Sequence, residues 1–363
     1  MKINKLEVYN YRNYKRDEVL FDDGLNVVEG KNAQGKTNLI EAIYFCAVGK
    51  SFRATREKDV INWDDSIAKI KVTLEKEVGK KVIEIIFSKS QKKTIKIDGI
   101  PISKIGELMG ELNAVFFAPD ELKLIKESPE DRRRFLDIAL SQVYKDYFYS
   151  LSKYNKLLQS RNKTLKAYQN ETTLKQMLDI YNRQMAELCL KIKKYRKNFI
   201  EKLNPYANMA HEYITSKQES INLEYVGIEE DTLEDIIKTF NNNFEKDFKL
   251  GFTSYGIHRD DIKVTTNGID VRSFGSQGQQ RTCALSMKLA ELEIIKQDTK
   301  AIPVLLLDDV LSELDDTRKL KLLKFCSKAQ TILTCTEFNF DITVNKIKIK
   351  SGSVIKNKNN WKF

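Results

Sequence analysis

The sequence predicts an α/β protein whose mixed sheet is assembled from both chain ends, with a mostly helical lobe inserted between them. Strand-like segments lead into a glycine-rich turn near residue 30. Glycine then disappears between Ser128 and Gly227, in a stretch dominated by helix-favouring residues. Strand and turn patterns return after about Lys249 and include a fully apolar strand, Val304 to Leu307, of the kind buried on both faces of a parallel sheet. The expected division is residues 1–127 for the N-terminal part of the head, 128–248 for a basic helical lobe and 249–363 for the C-terminal part.

Taken in order, Ile3, Leu6 and Val8 and then Leu25, Val27 and Val28 mark strands, and Leu39, Ile40, Ile43 and Ala47 share one face of a helix. Ala68 to Leu74, Lys81 to Phe87 and Thr94 to Ile97 alternate with period two and predict an antiparallel sheet, closed by Asp98-Gly99 turn chemistry. Breaks near Gln169 to Thr173 and at Asn204-Pro205 argue against a long coiled coil, so the lobe is expected to pack as compact helices. Its tyrosines (Tyr144, Tyr147, Tyr149, Tyr154, Tyr168, Tyr181, Tyr195) read as packing residues. Asn267-Gly268 between Asp261–Val264 and Ile269–Val271 signals a hairpin. A helix from about Gln279 places Leu285, Leu289, Leu292 and Ile295 on one stripe.

The chain has 363 residues and a formal charge of +11, which points to an anionic partner without specifying a fold. Between Ser141 and Leu203, fourteen Lys/Arg face five Asp/Glu, and the end of the chain adds Lys346, Lys348, Lys350, Lys356, Lys358 and Lys362. No apolar run approaches the roughly 18 residues of a membrane span, and the first residues lack a secretory pattern, so a cytoplasmic protein with no membrane partner is expected. Five cysteines without a CxxC pair, and two histidines, give no zinc spacing; the thiols should be reduced and buried.

Gly30-Lys31-Asn32-Ala33-Gln34-Gly35-Lys36-Thr37 matches GxxxxGK[ST] between a strand and a helix. Such a loop wraps phosphates with backbone N–H groups at a helix N-terminus, which predicts ATP binding. Lys36 would reach the β and γ phosphates and the Thr37 hydroxyl would ligate Mg²⁺. Val304 to Leu307 followed by Asp308 and Asp309 has the form of a Walker B strand. Asp308 is then the Mg²⁺ partner, directly or through water, and Asp309 the candidate base for water activation. Ser276-Gln277-Gly278-Gln279 opens the last long helix, where Ser276 could equally be a simple N-cap.

In this order the three elements resemble the heads of ABC-type ATPases, with Ser276-Gln277-Gly278-Gln279 as the signature and Ser312-Glu313-Leu314-Asp315 as the D-loop. The resemblance narrows to the RecF family, in the SMC-like branch. It is carried by Tyr9-Asn10-Tyr11-Arg12-Asn13-Tyr14, the P-loop through Asn38, Lys50-Ser51-Phe52-Arg53, Phe117-Ala118-Pro119-Asp120, Asp131 to Asp137, His258-Arg259-Asp260-Asp261 and Leu307 to Asp315. It implies a slow, DNA-stimulated ATPase that dimerises on ATP and holds double-stranded DNA near single/double-strand junctions. It further implies action with RecR and RecO to load RecA in repair and replication restart. The resemblance places Arg12 and Asn13 near the nucleotide, and has Ser276 and the amides near Gly278 complete the γ-phosphate cage of a second copy.

Asp309 stands where ABC-type heads usually carry the longer Glu, and Thr331 to Thr336 replaces the switch histidine, leaving Thr334 or Thr336 to sense the γ-phosphate. His258 reads as part of a structural cluster, and Arg132, Arg133 and Arg134 suit either phosphate or a solvated helix face. Rival readings are a transporter ATPase subunit, an ATP-switched protein-interaction module without direct DNA binding, and a small-molecule kinase. The first is disfavoured by the threonine-rich switch, by Gln277 in place of a signature glycine and by the long insert.

Overall fold

The computed structural model describes residues 1–77, 79–167 and 170–355. Tyr168, Gln169, Lys356, Lys358 and Lys362 lie outside the described residues. The chain forms two compact units: Met1–Glu121, Glu212–Lys217 and Leu285–Phe363 in the first, Leu122–His211 and Gln218–Ala284 in the second. The second therefore holds Ser276–Gln279, which the sequence boundaries group with the head.

Two six-stranded sheets build the first unit. One is antiparallel, in the order Tyr14–Leu20, Lys2–Tyr11, Ile67–Lys76, Gly79–Ser88, Thr94–Ile97, Ile100–Pro101, and contains the three predicted strands. Asp98 (φ 51°) and Gly99 (φ 82°) make its last turn with two positive φ angles. The other runs Ser353–Ile355, Asn345–Lys350, Leu25–Glu29, Thr331–Cys335, Val304–Asp308, Ala114–Phe117, parallel except for the terminal hairpin. Helix Lys36–Val48 touches strands of both sheets, so Ala42, Tyr44, Phe45 and Cys46 are buried along with the predicted face. That is why its apolar residues run all round rather than in one stripe.

The second unit sets a three-stranded sheet, Ile269–Asp270, Asp261–Thr266, Ile221–Val226, among helices. The Asn267-Gly268 turn forms as expected, but Val271 begins a short helix, Val271–Phe274, capped by the Asp270 side chain. Helices Pro129–Val143, Lys145–Ala167 and Glu171–Thr215 follow one another, with the expected break before Glu171.

The break expected at Asn204-Pro205 is absent: helix Glu171–Thr215 runs 45 residues through Pro205. An interior proline removes one helical hydrogen bond and disfavours the helix by about 3 kcal/mol. Here the helix is held on both sides of it. Leu203 and Ala207 are buried, the Leu223 amide donates to Asn204 Oδ1 (2.8 Å) and the Ile221 amide to Asn208 Oδ1 (3.0 Å). Packing against one strand overrides the local preference.

The surplus of Lys/Arg between Ser141 and Leu203 is partly neutralised by acids of the second unit outside that stretch. Arg161 is fully buried against Asp247 (2.8 Å), Arg196 bridges Asp137 (2.8 Å) and Asp260 (2.6 Å), and Lys193 meets Asp231 (2.8 Å). Tyr147 and Tyr154 are fully buried, as packing residues should be, and Tyr144, Tyr181 and Tyr195 are half-buried, but Tyr149 is exposed and departs from that expectation. All five cysteines are buried and free, and among the described residues no helix is long and apolar enough to cross a membrane.

Candidate nucleotide-binding site

In the first unit the P-loop leaves strand Leu25–Glu29 and enters helix Lys36–Val48 with Gly35 at φ 110°, a conformation only glycine adopts easily. A Cβ on Gly30 would stand 2.6 Å from the Ile349 carbonyl oxygen, so the loop lies tight against the C-terminal hairpin. The hairpin also grips the loop by hydrogen bonds: the Gly352 amide donates to the Gln34 carbonyl (3.0 Å) and the Ser351 amide to Gln34 Oε1 (2.5 Å). Lys36 Nζ donates to the carbonyls of Gly30 (2.5 Å) and Lys31 (3.1 Å), curling back over its own loop.

Walker A and Walker B meet directly. Thr37 Oγ1 donates to Asp308 Oδ1 (3.0 Å), Thr334 Oγ1 donates to the same oxygen (2.7 Å), and the Asp309 amide donates to Thr334 Oγ1 (2.9 Å). Burial raises the pKa of Asp308 and the Asp309 charge adds to it, while the two hydroxyl donors oppose the shift. Asp309 takes a left-handed backbone (φ 51°), the sparsely populated kind found at functional turns, and Ser312 Oγ donates to its carbonyl (2.7 Å). Thr37 and Asp308 offer the hard oxygen donors that Mg²⁺ takes, so the residues present fit that ion. Thr334 has a direct role in this cluster, whereas Thr336 is exposed.

Arg12 and Asn13 both reach the loop region, by different means. Arg12 makes a two-pronged pair with the buried Glu41 (2.6 and 2.9 Å) and donates to the Asp59 carbonyl (2.8 Å). Asn13 Nδ2 donates to the Gln34 carbonyl (3.1 Å) and Asn13 Oδ1 accepts from Asn38 Nδ2 (2.6 Å). Glu41, Ser51 and Arg53 were not among the residues expected at the site. Ser51 Oγ (2.5 Å) and Arg53 (3.2 Å) both donate to Glu41, and Arg53 also donates to Asn38. Burial alone would raise the Glu41 pKa, but these donors hold it below the usual value. The signal for Arg53 was present in Lys50-Ser51-Phe52-Arg53; the signal for Glu41 was only a charged residue in an apolar helix.

In the second unit, Ser276 and Gln279 form a reciprocal cap. The Gln279 amide donates to Ser276 Oγ (3.2 Å), and the Ser276 amide donates to Gln279 Oε1 (2.9 Å). Gln279 Nε2 donates to Glu219 (2.8 Å). Ser276 and Gln277 are exposed and Gly278 is half-buried at the helix start. Helix Gln277–Thr299 begins two residues earlier than expected. In the first unit Asp315 caps helix Asp316–Cys326 by accepting from the Arg318 amide (3.0 Å).

Of the remaining candidates, Arg132, Arg133 and His258 are bonded within the second unit. Arg132 pairs with Asp261 (2.5 Å) beneath the surface, Arg133 donates to the Asp260 carbonyl (2.7 Å), and Arg134 is exposed. His258 Nε2 sits 3.0 Å from the Thr253 carbonyl and Nδ1 2.7 Å from the Tyr154 hydroxyl, so Nε2 carries the proton and Nδ1 accepts.

A family model described as RecF/RecN/SMC N terminal domain matches residues 2–349. The DNA replication and repair protein RecF of Clostridium kluyveri is 47% identical over 339 residues, 93% of each chain. That of Clostridium botulinum strain Eklund 17B is 45% identical over 363 residues, covering 98% of this chain and all of its own. A solved structure of the recombination mediator protein RecF with ATP, described in the RecFOR pathway, superposes with a TM-score of 0.90 at 34% identity, covering 98% of this chain and 97% of that one. An Smc head bound to the C-terminal winged-helix domain of ScpA shares the fold alone, with a TM-score of 0.58 at 18% identity over 98% of this chain and 96% of that one. The fold is an ABC-type, SMC-like ATPase head, and the chain belongs to the RecF family.

Proposed function

We propose that this protein is an ATP-hydrolysing DNA-repair mediator whose two copies close on ATP and hold double-stranded DNA near junctions with single strands. The observation that carries the reading is the Thr37–Asp308–Thr334 cluster beside Lys36, which joins Walker A to Walker B within one unit while Ser276 stands exposed on the other. Lys36 leaves its loop carbonyls for the β and γ phosphates when ATP arrives, the same kind of oxygen acceptor with more charge. Thr37 and Asp308 would hold a Mg²⁺ ion, which would supply neutralisation of the phosphate charge. Asp309, with its amide fixed by Thr334, orients the attacking water; its short side chain is consistent with slow turnover, and DNA is expected to stimulate it.

Ser276, Gln277, Gly278 and Gln279 of a second copy complete the site, Ser276 and the amides near Gly278 meeting the γ-phosphate, with Ser312 and Asp315 at the same junction. ADP lacks that phosphate and cannot hold the pair equally well. The names of the relatives and their placement in the RecFOR pathway support RecR and RecO as partners in RecA loading, in the cytoplasm. In this reading the expected division 1–127, 128–248 and 249–363 shifts at its last boundary, because the second unit extends to Ala284 and brings the signature with it. The test is molecular mass by light scattering for wild type and Ser276→Arg, with ATP, ADP or neither, with and without a short duplex. Wild type should double its mass with ATP only, and Ser276→Arg should stay a monomer while binding ATP normally. The same mass in every condition, with unchanged duplex capture, overturns the reading.

A further inference from the structure

The turn that joins strands Asn345–Lys350 and Ser353–Ile355 has two residues, Ser351 (φ 50°) and Gly352 (φ 71°), both in the left-handed region that a tight hairpin requires. Both sheets of the first unit hold it. Asn345–Lys350 pairs in parallel with Leu25–Glu29, the strand that feeds the P-loop, and the Val354 amide donates to Asp17 Oδ1 (2.9 Å) on strand Tyr14–Leu20. The Ser351 and Gly352 amides both donate to one residue, Gln34, the first to its side chain (2.5 Å) and the second to its carbonyl (3.0 Å). Gly352 is buried and has no room for a side chain, since a Cβ would run into the Asn13 carbonyl oxygen.

A loop that aims its N–H groups at an anion must turn carbonyls away, and each of those needs a donor. By this measure the P-loop divides in two. The Gly30 and Lys31 carbonyls depend on Lys36 Nζ (2.5 and 3.1 Å), the group that departs when phosphate arrives. The Gln34 and Gly35 carbonyls receive donors from outside the loop: the Gly352 amide and Asn13 Nδ2 (3.1 Å) on Gln34, and the Tyr14 hydroxyl (3.0 Å) on Gly35. We propose that the Ser351–Gly352 turn is a positioning element for ATP, fixing Gln34 and the second half of the loop in the phosphate-receiving form before the nucleotide binds. Binding then rearranges only the half that Lys36 releases, and the order already present in the other half appears as affinity. The coupling is reciprocal, so bound nucleotide tightens the hairpin. The proposal rests on the reading of this loop as the ATP site and deepens it.

Calorimetric titration of the full-length protein with ADP, which does not need a second copy, measures the affinity. Gly352→Ala, which drives the turn off Asn13, should weaken ADP binding about tenfold through the two bonds lost to Gln34. Gln34→Met keeps the side-chain length, removes only the acceptor of the Ser351 amide and should weaken binding about threefold, so the proposal stays testable if Gly352→Ala does not fold. In steady state the KM for ATP should rise by the same factors while kcat falls much less. A turn that merely stabilised the unit would instead lower the melting temperature and kcat and leave KM alone. Hydrogen exchange of wild-type amides in residues 345–355 should slow about fivefold when ADP binds. Unchanged ADP affinity in either folded variant, or hairpin exchange indifferent to ADP, overturns the proposal alone. A wild type that binds no ADP overturns it together with the nucleotide site on which it rests.

Discussion

The two segments proposed to meet at the nucleotide are built in opposite ways. In the first unit, Thr37, Asp308, Thr334 and the Asp309 amide satisfy one another, and Lys36 lies curled on its own loop carbonyls. In the second, Ser276 and Gln277 face solvent, and Ser276's bonds are the reciprocal ones to Gln279 that any well-made helix start could show. A cluster of mutually bonded hydroxyls and carboxylates is costly to bury unless each group has a partner, so its presence points to a site needed within one chain. An exposed cap, held in shape by Glu219 from behind, has no such need and is suited to meeting something that arrives.

The largest test of this contrast is Lys36→Met. Removing the ammonium deletes charge-assisted bonds to phosphate, each contributing about 1.5–3 kcal/mol, so turnover should fall at least about 100-fold. Nucleotide titration and steady-state hydrolysis measure it together. The melting temperature should hardly change, since the bonds lost in the free protein are to loop carbonyls. Retained turnover would mean that the P-loop is not where hydrolysis is organised.

Acid should next test the cluster around His258 in the second unit. Burial, with Arg259 and Arg133 nearby, lowers the His258 pKa from 6.5 to about 4, so the folded second unit keeps this ring neutral while the unfolded chain protonates it. Between pH 6.5 and 4 the unfolded state binds more protons, so stability falls as pH falls, by at most about 3 kcal/mol across the window. In the first unit Asp308, with its raised pKa, responds with the opposite sign, whereas Glu41, held low by its donors, responds with the same sign as His258. Urea unfolding at pH 7 and pH 4.5 should show the loss, and His258→Gln should flatten it. An unchanged slope in that variant would remove His258 from the account.

The same contrast explains what was legible in the sequence. Strand-turn-helix at Gly30–Thr37 and the apolar strand ending in Asp308 are contiguous patterns, read from a few neighbouring residues. Glu41 could not be recognised as a hub, since its donors Arg12, Ser51 and Arg53 come from segments on either side of the P-loop helix and only folding assembles them. The hairpin of Asn345–Lys350 and Ser353–Ile355 closing on Gln34 joins residues more than 300 positions apart. Pro205 misled for the converse reason: its local signal is strong, and Asn204 and Asn208 overrule it through bonds to a distant strand.

The smallest effect, and the most discriminating, belongs to the switch threonines. Thr334 bonds both to Asp308 and to the Asp309 amide, whereas Thr336 lies exposed. Thr334→Val preserves the side-chain shape while removing a donor to one carboxylate and an acceptor from the neighbouring amide. At about 0.5–1.5 kcal/mol for a typical hydrogen bond, turnover should drop about tenfold. ATP affinity should change less, because Lys36 and the loop amides still hold the phosphates. Thr334→Ser, which keeps the hydroxyl, should restore most of the rate, and Thr336→Val should leave it unaltered. If Thr336→Val slowed hydrolysis and Thr334→Val did not, the cluster around Asp308 would be a structural joint, and the contrast between a complete half-site and an exposed one would lose its chemical meaning.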